Sequence, residues 1–201
     1  MKTLFAFSVL TAAMLSLTAA SSAQQSAAAS PLEIAVTYNA QHAMSTGNHS
    51  FWLEGGAIEL HHRFYRGLGV VASVTGGHVA GDGVMTAPLN TVTTVFGPRY
   101  TISTHKDRLA FFGEGLIGEV DGFRSSFPSG SGSTAIPTNG TIRSANGFAL
   151  QVGGGLDLRL HHHLAFRPIQ ASWVRTQLPN GSSNTQNIMQ LGAGLVFRLG
   201  R

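Results

Sequence analysis

From about residue 32 onward, apolar and polar residues alternate with a period of two, the mark of β-strands whose two faces meet different surroundings. The final segment, Gln190 to Leu199, sets Leu191, Ala193, Leu195, Phe197 and Leu199 against Gln190, Gly192, Gly194 and Arg198, with Val196 the one exception. A first strand sets Leu32, Ile34, Val36 and Tyr38 against Glu33, Ala35, Thr37 and Asn39. A second, about Trp52 to His62, has Ile58 and Leu60 opposite Ala57, Glu59 and His61, and Gly55-Gly56 suits a bulge. A third spans Leu68 to Val79 and a fourth Thr91 to Ser103, where Val92, Phe96, Tyr100 and Ile102 oppose Thr91, Thr93, Arg99 and Thr101. The fifth, Leu109 to Val120, is ambiguous: Leu109, Phe111 and Ile117 share one parity, Phe112, Glu114 and Leu116 the other. In the sixth, Asn146 to Leu160, the apolar set from Phe148 to Leu160 faces Ala149, Gln151, Gly153, Gly155, Asp157 and Arg159, and Leu164 to Thr176 makes a seventh.

The connections alternate in length. Arg63 to Gly67, Thr104 to Arg108 and His161 to His163 are short, whereas Ala43 to Ser50, His78 to Asn90, Asp121 to Ala145 and Gln177 to Gln186 are longer and rich in Gly, Ser, Asn, Thr and Pro. Short periplasmic turns and long external loops in that order predict an all-β fold, an eight-stranded antiparallel up-and-down transmembrane β-barrel with its apolar face in lipid. Aromatic residues, among them Trp52, Phe64, Tyr65, Tyr100, Phe148 and Phe197, fall mostly near strand ends, as interfacial girdles do. Pro98 and Pro168 lie inside strands, and bulges would accommodate them. A soluble barrel with the apolar face turned inward is the alternative fold.

Composition agrees with the membrane reading. Only 11% of residues are charged, against roughly 25% in an average soluble domain. Lys2, the apolar run Leu4 to Leu17, and Ser21 and Ala23 at a signal-peptidase spacing predict a signal peptide over residues 1–23, leaving 24–201 as one barrel domain. The chain has no cysteine, hence neither a disulfide nor a thiol for lipid anchoring. Its net charge of +4 comes from scattered arginines, with Lys106 the one lysine after the leader, so no basic stripe for nucleic acid exists.

On this map Glu33, Glu59, Arg99, Asp157, Arg159, Arg167 and Arg198 face the lumen in its periplasmic half, with Glu114 near mid-height if the fifth strand is read that way. Higher up come Thr37, Asn39, Ser73, Thr75, Thr91, Thr93, Gln151 and Gln190. Side chains just fill an eight-stranded barrel, so paired arginines and carboxylates would plug it; the same ions would also suit a gate that exchanges partners. His61-His62 and His161-His162-His163 have metal-binding chemistry, but neighbours on a strand point to opposite faces, so no metal and no cofactor is expected. Ser103, His105 and Asp107 lie in a periplasmic turn, while His42, His49 and His78 lie near Ser45, Ser50, Glu54 and Asp82 in external loops, compatible with a catalytic triad but not specific to one. We expect no catalytic residues.

With these residues in hand, the chain resembles the small outer-membrane β-barrel proteins of the OmpA/OmpX-like kind over the whole of residues 24–201. The resemblance rests on Gln190-x-Gly192-x-x-Leu195-x-Phe197, and on Phe96-Gly97-Pro98-Arg99-Tyr100 and Phe166-Arg167-Pro168-Ile169-Gln170, which look like segments of acidobacterial outer-membrane barrels. It implies an outer-membrane location among lipids and recognition of the last strand by the barrel assembly machinery. The family's terminal aromatic is usually the last residue, whereas Arg198 to Arg201 follow Phe197 here, and no wall tethering through a peptidoglycan-binding domain is expected. The expected role is structural or interactive, with a surface ligand taken by residues 121–145. The alternatives are a narrow porin-like channel and a lipid A-modifying enzyme.

Overall fold

The computed structural model describes residues 32–44, 50–79, 88–104, 108–128, 141–179 and 184–199; the leader read in residues 1–23 lies outside them. Eight strands form: β1 (Leu32–Met44), β2 (Ser50–Tyr65), β3 (Leu68–Val79), β4 (Leu89–Thr104), β5 (Leu109–Pro128), β6 (Thr141–His161), β7 (Leu164–Thr176) and β8 (Gln186–Leu199). Each pairs antiparallel with its sequence neighbours, and β8 returns to β1 to close the barrel. Closure leaves no sheet edge along the membrane-crossing ladder, which a lipid environment requires because it supplies no water to unpaired N–H and C=O groups.

The stagger of the ladder follows from the register. From Ile34 the paired residues run through Leu60, Ala72, Phe96, Ile117, Leu150, Arg175 and Asn187, and return to β1 at Met44, ten residues above the start. With strands about 4.8 Å apart and a rise of about 3.3 Å per residue, this shear tilts the strands about 40° from the axis. The tilt stacks residues from distant strands at one height, which is how the charged groups below come together.

Alternation decides which way each side chain points. Val36, Ile58, Val74, Phe96, Ile117 and Leu191 are exposed on the outer wall, and the intervening residues are buried inside. The ambiguous β5 is resolved: Phe112, Glu114 and Leu116 are buried, and Phe111 and Ile117 face out. The outer apolar band carries Phe64, Tyr100, Phe111, Phe166 and Phe197 at its periplasmic edge, and the exposed residues Glu54, Glu119 and Arg175 at its upper edge. Tyr38 and Trp173 are exceptions to the girdle, since register places them near mid-height.

Three local expectations need correction. Gly55 and Gly56 hold no bulge; both ladders of β2 run through them without a shift, and the irregularity comes at Arg63 to Tyr65. The tight turn that follows has positive φ at Arg66 (38°) and Gly67 (91°), a two-residue turn whose twist matches that of the strands. At Pro98 the β4–β5 pairs for Gly97 and Pro98 are missing, yet the register resumes unchanged at Arg99 opposite Glu114, so the proline costs ladder bonds but makes no bulge. Pro168 does sit in a bulge, between Arg167 and Gln170. Lastly, the loop read at residues 121–145 is shorter: β5 runs to Pro128 and β6 starts at Thr141, with an irregularity between Phe123 and Phe127. Backbone pairing propagates along a hairpin without side-chain alternation, so a Gly/Ser-rich sequence still forms a ladder.

If the outer band meets acyl chains, Ile58→Arg near its middle will destabilise the barrel by roughly 2–4 kcal/mol. Equilibrium urea unfolding in phospholipid vesicles measures this, and a change near zero would place Ile58 outside hydrocarbon.

Candidate functional site in the barrel lumen

The periplasmic part of the lumen holds a connected cluster of ionised side chains. Arg99 on β4 faces Glu114 on β5 directly across the ladder. Its Nε donates to Glu114 Oε2 at 2.7 Å, and its Nη2 donates to the same oxygen and, at 2.6 Å, to Glu59 Oε2 on β2. From the other wall, Arg167 on β7 grips Asp157 with two bonds, Nε to Oδ1 at 2.7 Å and Nη2 to Oδ2 at 3.2 Å. Arg167 Nη1 also donates to Glu59 Oε2 at 2.8 Å. Glu59 is therefore the bridge between two arginines on opposite walls. Arg99, Arg167 and Glu59 are 2%, 1% and 1% exposed, so these charges meet each other in place of water.

The Pro168 bulge is part of the construction. Arg167 and Gln170 differ by an odd number of residues and would face opposite ways in a regular strand; the register shift between them turns both inward. Gln170 Nε2 then donates to Glu59 Oε1 at 2.6 Å, while its Oε1 accepts from Arg167 Nη1 at 3.1 Å. Phe112 fills the space beside the cluster, with the guanidinium carbons of Arg99 and Arg167 each 4.3 Å from its ring centre, within cation–π range.

A second group lies lower, at the seam where the chain closes. Glu33 is flanked in the ladder by His61 on β2 and Arg198 on β8. Its Oε2 is 2.9 Å from His61 Nδ1, its Oε1 is 3.0 Å from Arg198 Nε, and Arg63 Nη2 is 3.5 Å from Oε1. The last strand is thus joined to the first by an ion pair as well as by backbone bonds.

Of the eight lumen residues read from the sequence, seven lie in these two groups. Arg159 does not: it is exposed near the β6–β7 turn, paired with Ala165 between two irregularities of the ladder. Its parity matches that of Asp157, but it lies two residues below Asp157, at the open periplasmic rim beside the turn, where its side chain is exposed. Parity turned His61 inward without revealing its partner, and Gln170 and Phe112 were missed; Gln170 became an inward residue only through the bulge.

Above the ions is a polar belt. Asn39, Ser73, Gln151 and Ser172 are buried there and Thr176 higher up on β7, and Asn39 Nδ2, Ser73 Oγ, Gln151 Oε1, Ser172 Oγ and Thr176 Oγ1 have no protein partner among the described residues. Gln151 Nε2 hangs on the charged layer through Glu114 Oε1 at 3.4 Å. In the last-strand motif Gln190 points inward, Leu195 and Phe197 face out, and Gly192 lies so close to β1 that a Cβ would stand 2.1 Å from Asn39 Oδ1.

No group of three or more potential metal ligands forms among the described residues. His161 and His162 meet edge to face, with ring centres 5.4 Å apart. His42 packs on Trp52, and His78 Nδ1 is 2.8 Å from Asn90 Oδ1. Ser103 is exposed, while His105, Asp107, His49, Ser45 and Asp82 lie outside the described residues.

An eight-stranded closed barrel with an apolar outer wall and an ionic interior has the fold of the small outer-membrane β-barrel proteins. Two solved structures illustrate the likeness. Neisserial surface protein A superimposes with a TM-score of 0.65 at 12% identity, covering 84% of this chain and 97% of that one. Ail, the attachment invasion locus protein of Yersinia pestis, solved with the heparin analogue sucrose octasulfate, superimposes with a TM-score of 0.56 at 16% identity, covering 85% and 99%. No protein-family model matches the chain, and no curated protein matches it in sequence. The likeness is one of fold.

Removing the bridging carboxylate in Glu59→Ala leaves Arg99 and Arg167 buried and facing each other, and will cost about 3–5 kcal/mol of stability. Arg159→Ala, at an exposed rim position, will stay within about 0.5 kcal/mol. Comparing the two unfolding midpoints tests the assignment; equal effects would contradict it.

Proposed function

We propose that this chain is a non-enzymatic integral outer-membrane protein with a closed lumen, working as a rigid scaffold for surface interactions at its external end. The observation that carries this reading is the double grip on Glu59, held by Arg99 at 2.6 Å and Arg167 at 2.8 Å across the width of the barrel. In an eight-stranded barrel side chains already fill the interior, and a cross-lumen ion pair of this kind closes what remains. A closed lumen argues for work done on the outer surface rather than by permeation.

The partners follow from the surfaces. The outer band takes outer-membrane lipids. Gln190, Gly192, Leu195 and Phe197 form the segment offered to the barrel assembly machinery, with Leu195 and Phe197 on the outer face. The hairpin of β5 and β6, whose strands are 20 and 21 residues long against 13 in β7, reaches beyond its neighbours and is the part of residues 121–145 placed to meet a surface ligand. His42 and His78, expected in external loops, lie in β1 and β3, and their contacts, His78 with an amide and His42 with an indole, support a non-catalytic reading.

A narrow channel is the second reading, favoured by the polar belt above the ions. Planar-bilayer recording of the folded, full-length protein separates the two. A silent membrane is the expected result, and steady ohmic current would make this a channel and end the closed-scaffold reading.

A further inference from the structure

The ionic floor does not account for the other end of the lumen. In outer-membrane barrels the interior is normally polar throughout, yet here buried Leu53, Leu89, Val120, Val174, Leu178 and Ile188 stand in its extracellular part, the upper end of an apolar cluster that continues down through Leu116 and Val95 to Val71, with Gln41, Thr91 and Thr176 between them. Register sets their height: Leu53 stands beside Gln41 and Ile188 beside Ala43, eight and ten residues up β1 from Glu33. Leu178 lies just past the end of β7 and is only 1% exposed, continuing the inward parity of Ser172, Val174 and Thr176 while Gln177 N–H extends the ladder to Phe148 O. The residues come from β2, β4, β5, β7 and β8, and Ala43 and Ala149 add β1 and β6 to the same cluster. The layer therefore reaches around the ring.

The free space among these residues, lined also by Gln151 and Thr176, is about 10 Å³. That holds roughly one water molecule, far below the roughly 300 Å³ of a small-molecule site. Packing rather than ligand binding is its role. Gln151 Oε1 and Thr176 Oγ1, buried, unpartnered and lining that space, are groups an enclosed water would satisfy.

We infer that the barrel is sealed twice, by an ionic floor and, above it, by a closely packed, largely apolar ceiling. The inference rests on the closed-lumen reading above and extends it. The two seals differ physically. Charges can exchange partners while staying paired, so the floor can rearrange at modest cost. An apolar constriction blocks ions by excluding the water that must accompany them. Exchange of partners among Glu59, Arg99 and Arg167 then opens no path on its own.

Three variants of the full-length protein in planar bilayers test this: a floor variant, Arg99→Ser with Arg167→Ser; a ceiling variant, Leu53→Ser with Val120→Ser; and the combination. Only the combination is expected to conduct. Steady current from the floor variant alone, above a silent wild type, would overturn the second seal while leaving the closed scaffold intact; current from the wild type would instead sink the closed scaffold. A silent combination would also overturn the inference, because some other layer would then close the barrel. If heat-modifiable gel mobility shows that the floor variant does not fold, Gln151→Cys replaces it as the reporter, the single thiol of an otherwise cysteine-free chain. An impermeant charged thiol reagent added outside should modify it slowly behind the intact ceiling, and at the rate of a surface cysteine once Leu53 and Val120 are serines. Fast modification behind the intact ceiling would refute the seal.

Discussion

A backbone that crosses hydrocarbon has to satisfy its own N–H and C=O groups, because lipid offers them no partner. Here that requirement is met by a ladder that closes on itself with a stagger of ten residues, from Ile34 round to Met44. Once the stagger is set, so is the list of side chains that meet inside. Arg99 faces Glu114 because their backbones are paired; Glu59 and Arg167 meet because the tilt brings β2 and β7 to one height across the lumen. The seam of Arg198, Glu33 and His61 is the same effect between the chain's last strand and its first.

The interior solves three different problems in three layers. Ionised groups buried at 1–2% exposure are tolerable only when each has close partners of opposite sign, and the floor supplies them with several bonds to each arginine. The belt above keeps polar atoms that find no protein partner and so calls for water. The ceiling, with few polar atoms such as Thr176 Oγ1 among its apolar side chains, closes chiefly by packing. In the double-seal proposal, charges low and hydrocarbon high would give one small barrel two unlike barriers, one responsive to charge and one to hydration.

The departures from regular alternation have chemical consequences. Pro98 removes ladder bonds without moving the register, so Arg99 keeps its partner. Pro168 shifts the register, and this adds Gln170 to the face that already holds Arg167. Arg159, two residues below Asp157 at the rim, is left outside the cluster. Identical residue types, at similar distances from a proline or a turn, were thus given different fates by the ladder around them.

Strand number, order and the inward or outward sense of most residues were legible in the chain, because a period of two is local and the contrast between lipid and lumen is written into every second residue. For β3 and β7 even the ends agreed. Strand ends elsewhere, Leu109–Pro128 above all, were not legible, since backbone pairing continues where alternation has faded. Nor were the contacts of Glu59, the exclusion of Arg159, or the ceiling, part of whose side chains lie beyond the strand limits that alternation marks. These depend on shear, bulges and closure, which relate residues as far apart in the chain as Glu59 and Gln170, or Glu33 and Arg198. A local pattern can say which way a side chain points; which partner it meets is settled when the ring closes.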